Sequence, residues 1–191
     1  MDLKHIILAS RSPRRIELMN REGLYPSVVP ADIEENLPEG IAPDDAVMFL
    51  SFKKALHVER THPEFAGQLI IAADTVVYQD KILGKPENRE EARAMIESYR
   101  NTHHEVLTGV TLLVAGEPLR RSFVDVTRVY CKDYSDDFIN SYVDTPEPYD
   151  KAGGYAIQMT FGDYIDHIEG DYDNVVGLPV RRMLEEIKRL G

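Results

Sequence analysis

The chain has 191 residues, 43% of them hydrophobic, which is enough for one compact domain with a buried core. Its net charge of −11 argues against binding to duplex nucleic acid or to an anionic membrane surface, because both are themselves negatively charged. The single cysteine excludes a disulfide framework within the chain and a thiolate metal cluster, and no apolar run approaches the length that spans a membrane. A cytoplasmic protein is therefore expected.

The first residues combine a short apolar run with a marked helix start. His5–Ala9 predicts a buried strand. Ser12 is a good N-cap residue and Pro13 suits the first helical position, so a helix is predicted to begin there. Arg14 and Arg15 then lie in its first turn, the end of the helix dipole that disfavours cations. This placement favours an anion site built from arginines and free backbone N–H groups, although both side chains could instead pair with acids elsewhere.

Two charged positions in the next segment have both a functional and a plain interpretation. Ser27–Pro30 predicts a second strand, and Glu34 and Glu35 follow it in an acidic loop where solvated surface charges are the simpler interpretation. A helix is predicted from Pro43 to about Arg60. Lys54 shares the apolar side of that helix, so its ammonium either reaches the edge of the apolar surface or points at a ligand phosphate.

The most apolar stretch, Leu69–Tyr78, predicts a central strand covered on both faces. Asp74 interrupts it, and an isolated carboxylate is costly there unless a cation or strong donors meet it. A structural salt bridge is one explanation. We favour a carboxylate that holds a metal or acts as a base, because perturbed carboxylates concentrate at functional sites. A return strand is predicted at Lys81–Leu83, and the Gly84–Pro86 loop after it carries Lys85.

The rest of the chain continues to alternate between helices and strands. The predicted elements are a helix at 90–99, strands at 106–114 and 119–131, a helix at 135–143, a loop at 150–158 that enters a strand, and a closing helix from 177 to 190. No internal repeat or interdomain linker is found, so residues 1–191 are expected to form a single domain.

Familiar nucleotide-binding motifs are absent from the sequence. It contains no Walker-type phosphate loop, no Gly-x-Gly-x-x-Gly dinucleotide fingerprint and no Gly-x-Ser-x-Gly nucleophile elbow. What remains is a carboxylate on a central strand, arginines at a helix start, and lysines on a helix and in a loop. This combination suits a metal-bound polyphosphate, with oxygen ligands for Mg²⁺ or Mn²⁺ and cations for the remaining phosphate charge.

Six segments, in order along the chain, carry a family resemblance. They are Leu8–Arg15 (LASRSPRR), Ala72–Val77 (AADTVV), Gly84–Pro86 (GKP), His104–Val110 (HEVLTGV), Asp150–Gln158 (DKAGGYAIQ) and Asn174–Pro179 (NVVGLP). Together they span almost the whole chain and resemble the signature of the Maf family of nucleoside triphosphate pyrophosphatases.

The resemblance implies an α/β fold: a single two-lobed unit with a long twisted mixed β-sheet flanked by helices and a deep central cleft. It also implies hydrolysis of a nucleoside triphosphate to the monophosphate and pyrophosphate with a divalent cation, Mg²⁺ or Mn²⁺. A homodimer is plausible from the same resemblance.

Site residues follow from matching this sequence to the family positions. Asp74 falls at the position of the general base or metal-bound acid, and Glu35 matches an acid implicated in metal binding or water activation. The positions that contact phosphate are Ser10, Arg14, Lys54 and Lys85. The positions tied to substrate choice are Arg15, Thr75 and Gln158.

The Asp150–Gln158 segment resembles the branch that prefers dTTP and UTP over the branch that acts on 7-methyl-GTP. The amide of Gln158 offers both a donor and an acceptor to a pyrimidine edge. One departure is Arg100-Asn101, where a Ser-Gly pair is usual; Asn tolerates the left-handed backbone, so the turn is expected to survive, and the extra arginine is unexplained.

Two alternatives stay open at this point. The first is a house-cleaning pyrophosphatase for modified pyrimidine nucleotides. The second is a nucleotide-responsive regulator of septum formation and cell division that acts mainly by binding.

Overall fold

The computed structural model describes residues 5–190. The strands are β1 Ile6–Leu8, β2 Ser27–Val28, β3 Leu69–Gln79, β4 Lys81–Leu83, β5 His103–Val114, β6 Arg120–Cys131 and β7 Ile165–Glu169. The helices are α1 Pro13–Arg21, α2 Pro43–Thr61, α3 Arg89–Tyr99, α4 Asp136–Val143, α5 Tyr172–Val176 and α6 Val180–Leu190, with short 3₁₀ turns at Pro63–Phe65, Glu147–Asp150, Ala152–Gly154 and Thr160–Tyr164. Within the described residues, no helix is long and apolar enough to cross a membrane.

The strands form one mixed sheet in the order β2-β1-β3-β5-β6-β7, with β4 paired to β3. Strand β1 runs parallel to both β2 and β3, whereas β4 is antiparallel to β3 and β7 is antiparallel to β6. Together with its helices, the sheet confirms the predicted α/β class with a mixed sheet.

The chain divides into two compact units. Unit 1 comprises the chain up to Asp74, Thr108–Asp125 and the chain from Gly177 onward. Its hydrophobic cluster joins β1, α2, β3 and the end of β5. The buried members are Ile7, Ala9, Ala55, Val58, Ile70, Ala72, Leu113 and Ala115.

Unit 2 comprises Thr75–Leu107 and Val126–Val176. Its core is rich in aromatic rings, which pack edge to face or tilted against one another. The fully or nearly fully buried aromatic members are Tyr99, Tyr134, Tyr142, Tyr155 and Phe161.

One segment differs from its prediction. Residues 150–158 do not enter a strand; they form the end of one 3₁₀ turn, a second at Ala152–Gly154 and a further turn, and the next strand, β7, starts only at Ile165. Gly153 and Gly154 have φ of +71° and +75°, a left-handed conformation incompatible with a continuous strand. Of the alternating apolar residues after them, Tyr155 lies in irregular chain and Ile157 in a turn.

Candidate active site

Helix α1 begins where the sequence predicts it, with the two arginines in its first turn. Ser12 is extended and its Oγ accepts the backbone N–H of Arg15 at 3.5 Å, while Pro13 occupies the first helical position. This turn, which the structure describes in full, contains no acidic residue. The helix N-terminus and Arg14 therefore offer amide donors and positive charge to an anion.

Ser10 is held just before this helix by two hydrogen bonds that it accepts. Its Oγ receives the backbone N–H of Ser12 at 3.2 Å and Nη1 of Arg15 at 3.1 Å. A hydroxyl has two acceptor lone pairs and one donor, so both lone pairs are in use. The O–H hydrogen is left to donate, as contact with a phosphate oxygen requires.

Arg15 connects this loop to the segment before α6. Besides Ser10, its guanidinium donates from Nε to the backbone O of Gly177 at 2.8 Å. Burial lowers the pKa of Arg15, while the nearby Asp74 carboxylate acts in the opposite direction. The predicted part of Arg15 in substrate choice stays a prediction; the structure gives it a role in fixing the Ser10 hydroxyl.

The isolated carboxylate on β3 is paired with Lys54 of α2. Lys54 Nζ lies 2.6 Å from Asp74 Oδ1 and 2.7 Å from Glu35 Oε1. The Lys54 and Asp74 side chains are 12% and 11% exposed, and that of Glu35 is 57% exposed. Two carboxylates thus meet at one ammonium, with one of them largely removed from water. The two sequence-level explanations of Asp74 coincide here, because its salt-bridge partner is itself a predicted site residue.

Lys53 is a contributor that the sequence did not single out. Its Nζ donates to the backbone O of Glu34 at 2.6 Å, which fastens the acidic loop to α2. Glu35, the next residue, is thereby placed beside Lys54. No local pattern in the sequence marks Lys53 for this role.

The donor set suits one kind of metal binding. Among residues 5–190, no group of three or more His, Cys, Asp or Glu side chains could hold a metal ion. Mg²⁺, however, is usually held by one or two carboxylates together with substrate phosphates, with no all-protein cage. Glu35 and Asp74 meet that requirement, since both reach the same ammonium.

The other three predicted site residues belong to unit 2. Thr75 follows Asp74 on β3, Lys85 lies exposed in the loop after β4, and Gln158 lies exposed in the turn after the 3₁₀ segment. The Gly84 carbonyl, next to Lys85, accepts the backbone N–H of Gly153 at 2.9 Å. The structure therefore ties the Lys85 loop to the segment that leads to Gln158.

The departure at Arg100 and Asn101 has a structural explanation. Asn101 has φ of +55°, as predicted for a left-handed turn residue. Arg100 forms an ion pair with Asp136, which raises the pKa of Arg100, and its guanidinium lies 5.8 Å from the Tyr134 ring centre. The extra arginine thus fastens the start of α4 to this turn.

Comparison with known proteins gives consistent matches over the whole chain. The family model described as Maf-like protein matches residues 5–190. A dTTP/UTP pyrophosphatase of Geobacillus sp. (strain WCH70) is 44% identical, with 99% of this chain and 100% of that protein covered. A dTTP/UTP pyrophosphatase of Acetivibrio thermocellus is 40% identical, with 97% and 95% covered.

A solved structure extends the comparison to the fold. The Ham1 protein of Staphylococcus aureus aligns with a TM-score of 0.50 over 98% of this chain and 100% of that chain. The sequence identity is 10%, so this likeness concerns the fold alone.

Proposed function

Since the chain belongs to the Maf family, we propose that it hydrolyses dTTP and UTP to the corresponding monophosphate and pyrophosphate. It is a hydrolase that acts on the bond between the α- and β-phosphates. The observation that carries this proposal is the contact of Lys54 with both Asp74 and Glu35, which joins two carboxylates and a cation at one point.

Each group at this point has a task in the reaction. The oxygen of a water molecule bonds to the α-phosphorus, the bond to the oxygen bridging the α- and β-phosphates breaks, and pyrophosphate leaves. Asp74 accepts the proton of the attacking water. Lys54 has three N–H donors and uses two for Asp74 and Glu35, so the third is available for a phosphate oxygen.

A divalent cation completes the charge balance of this proposal. Asp74 and Glu35 are the residues that would hold Mg²⁺ or Mn²⁺ together with substrate phosphates. When bound, such an ion neutralises negative charge on the phosphates.

Phosphate binding is assigned to the start of α1 and to Lys85. Ser10 has its hydroxyl hydrogen left to donate, and Arg14 lies in the first turn of α1. Backbone N–H groups at a helix N-terminus favour phosphate for the same electrostatic reason. Lys85 adds a cation from an exposed loop.

Gln158 and Thr75 are assigned to base choice, with Arg15 acting through the Ser10 hydroxyl that it fixes. The exposed amide of Gln158 matches the donor and acceptor on a pyrimidine edge. Gln158→Ala should lower the ratio of kcat/KM for dTTP to that for CTP, and an unchanged ratio would remove Gln158 from base choice.

The values of kcat/KM for pyrimidine nucleotides substituted at C5, compared with that for dTTP, measure how far the enzyme serves to clear modified nucleotides.

The decisive experiment is pyrophosphate release from a panel of nucleoside triphosphates with Mg²⁺ or Mn²⁺, for wild type and Asp74→Asn. We expect fast pyrophosphate release from dTTP and UTP by wild type, and no release by Asp74→Asn. Activity mainly on 7-methyl-GTP would keep the family and overturn the branch assignment. Nucleotide binding without release from any substrate would overturn the proposal in favour of a binding regulator of septum formation and cell division.

Location and assembly complete the proposal. Free pyrimidine triphosphates are the proposed substrates, so we expect the enzyme in the cytoplasm. The plausible homodimer stays a prediction. Light scattering on the protein as it elutes from a size-exclusion column would decide between monomer and dimer.

A further inference from the structure

Three buried phenols of unit 2 converge on the segment that precedes Gln158. Tyr99 Oη donates to the Gly153 carbonyl at 3.0 Å. Tyr142 Oη donates to the Gly154 carbonyl at 3.1 Å and also lies 3.3 Å from a Glu147 oxygen. Tyr155 belongs to the segment itself. We call Tyr99, Tyr142 and Tyr155 the phenol clamp.

His104 supplies the partner of the third phenol. Its Nε2 lies 2.6 Å from Tyr155 Oη, and its ring packs 4.2 Å from the ring centre of Tyr99. The Nδ1 atom is buried and has no hydrogen-bond partner in the structure of residues 5–190. The bond to Tyr155 is therefore the one polar contact of this buried imidazole there. Burial lowers the pKa of His104 to about 3, so the ring is neutral at pH 7.

The backbone between these contacts has little freedom. A Cβ at Gly153 would lie 2.5 Å from Val77 Cγ2 and 3.0 Å from Tyr99 Oη, and the positive φ angles of Gly153 and Gly154 are also unfavourable for other residues. The chain therefore passes closely between β3 and α3 along one path. The Gly153 and Gly154 carbonyls each accept a hydrogen bond from a phenol.

Both ends of this segment lead to residues assigned to substrate binding. At one end, the Gly153 N–H donates to the Gly84 carbonyl, beside Lys85. At the other, the turn after Tyr155 is closed by the Met159 N–H and the Ala156 carbonyl at 3.1 Å, and Gln158 lies exposed in that turn.

We propose that the phenol clamp and His104 position the Lys85 loop and the Gln158 turn together, and thereby set nucleotide affinity and base selectivity. This inference rests on the proposed pyrophosphatase function. Tyr99, Tyr142, Tyr155 and His104 are positioning residues, because they act through the backbone that carries the contacting side chains.

Loss of one phenol hydroxyl provides the test, because a Tyr→Phe change keeps the packed ring. In Tyr99→Phe and Tyr142→Phe a buried carbonyl loses its donor, and in Tyr155→Phe the His104 imidazole loses its partner. A buried polar group left unsatisfied costs free energy, which favours displacement of the segment. Tyr134 provides a matched control: it is buried in the same aromatic cluster, but its phenol donates to the Ile96 carbonyl of α3. Tyr134→Phe removes a phenol–carbonyl bond of the same kind and leaves the segment untouched.

Tyr99→Phe, Tyr142→Phe, Tyr155→Phe and Tyr134→Phe are compared by melting temperature and by kcat and KM for dTTP and CTP. All four should melt at lower temperature than wild type. Only the three clamp variants should raise KM and lower the dTTP-to-CTP ratio of kcat/KM. We expect changes of about five- to tenfold, since a displacement near 1 Å can lower a reaction rate by up to a hundredfold. Equal ratios in all four variants and wild type would overturn the inference.

Hydrogen exchange provides a readout that does not depend on activity. In the clamp variants, peptides covering 83–87 and 150–160 should exchange faster than in Tyr134→Phe, without nucleotide present. Unchanged exchange in both peptides would overturn the inference even for an active enzyme. If the proposed function is wrong, the wild-type protein releases no pyrophosphate. The exchange comparison then still tests whether the phenol clamp positions the two peptides.

Discussion

Lys54 is the residue on which the acids of the candidate site depend most directly. Its ammonium lies 2.6 Å from Asp74 Oδ1, and the Asp74 side chain is 11% exposed. Lys54→Met keeps the length of the side chain and removes the charge. It should lower the free energy of unfolding by about 3 kcal/mol, the lower end of the range for breaking a buried ion pair, because a largely buried carboxylate then loses its cation. Urea unfolding followed by far-UV circular dichroism measures the change.

A second substitution distinguishes the charge effect from lost packing. Adding Asp74→Asn to Lys54→Met removes the uncompensated charge, so the double variant should regain most of the lost stability. An equal loss in the single and double variants would contradict an electrostatic origin. Glu35 should contribute much less, since its side chain is 57% exposed and solvent screens that pair.

His104 makes the stability of the protein depend on pH. Burial lowers its pKa to about 3 in the folded protein, while the unfolded chain has an ordinary histidine near 6.5. As the pH falls below about 6.5, His104 becomes protonated in the unfolded state, whereas in the folded state it stays neutral until about pH 3. The free energy of unfolding should therefore fall with pH, by up to about 1.4 kcal/mol per unit.

The measurement compares wild type with His104→Gln at pH 7.5 and pH 5. Glutamine can still hydrogen-bond to Tyr155 and does not titrate. Wild type should lose more stability than the variant over this interval, because other titrating groups are common to both proteins. Parallel losses would show that His104 is not the group responsible.

At the scale of single elements, substitutions of Ser12 at the start of α1 distinguish helix capping from the effect of charge on phosphate binding. Ser12 caps the helix and also lies where we assign phosphate binding. Asn and Asp cap helices about as well as Ser, but Asp adds a negative charge. Ser12→Asn and Ser12→Asp should thus be similarly stable. Only Ser12→Asp should raise KM for dTTP, by about tenfold, because its carboxylate repels the substrate phosphates.

Thermal melting and initial rates on the same two variants provide the check. If KM rises equally in both, the hydroxyl itself is needed and charge is not the cause. If neither KM changes, α1 does not bind the phosphates.

Elements governed by local rules were predictable from the sequence. Ser12 and Pro13 define the start of α1, and the apolar run of β3 gives its bounds to within a residue. The structure of the 150–158 segment was not predictable in this way. Tyr155 and Ile157 alternate with other residues as in a strand, but residues distant in sequence determine the path of the chain there. Tyr142, Tyr99 and Val77, all distant in sequence, hold Gly153 and Gly154 in turns.

The net charge of −11 has a consequence at the scale of the whole molecule. Proteins that bind duplex DNA nonspecifically do so with Kd values of about 1–100 µM, through cations that displace counterions. This chain should show no change in the fluorescence anisotropy of a labelled duplex up to about 100 µM protein at physiological salt. Saturable binding that weakens as salt rises would contradict the expectation.

Site assembly across the fold was only partly accessible from the sequence. Matching to the family positions predicted roles for Asp74, Lys54 and Glu35 separately, but the contacts join residues 20 and 19 positions apart on different elements. Nothing in the local sequence shows that one ammonium touches both acids, or that Lys53 anchors the loop before Glu35. Such pairings depend on how α2 packs beside β3, which is a tertiary property.

The distribution of tyrosines makes the two units spectroscopically unequal. The chain has ten tyrosines and no tryptophan, and nine of the tyrosines lie in unit 2, leaving only the exposed Tyr25 in unit 1. The tyrosine band in the near-ultraviolet circular dichroism of the native protein is thus a signal from unit 2 almost alone. A tryptophan introduced at the surface position Phe52 of α2 would report on unit 1 by its own emission, and the unfolding of each unit could then be followed in the same sample.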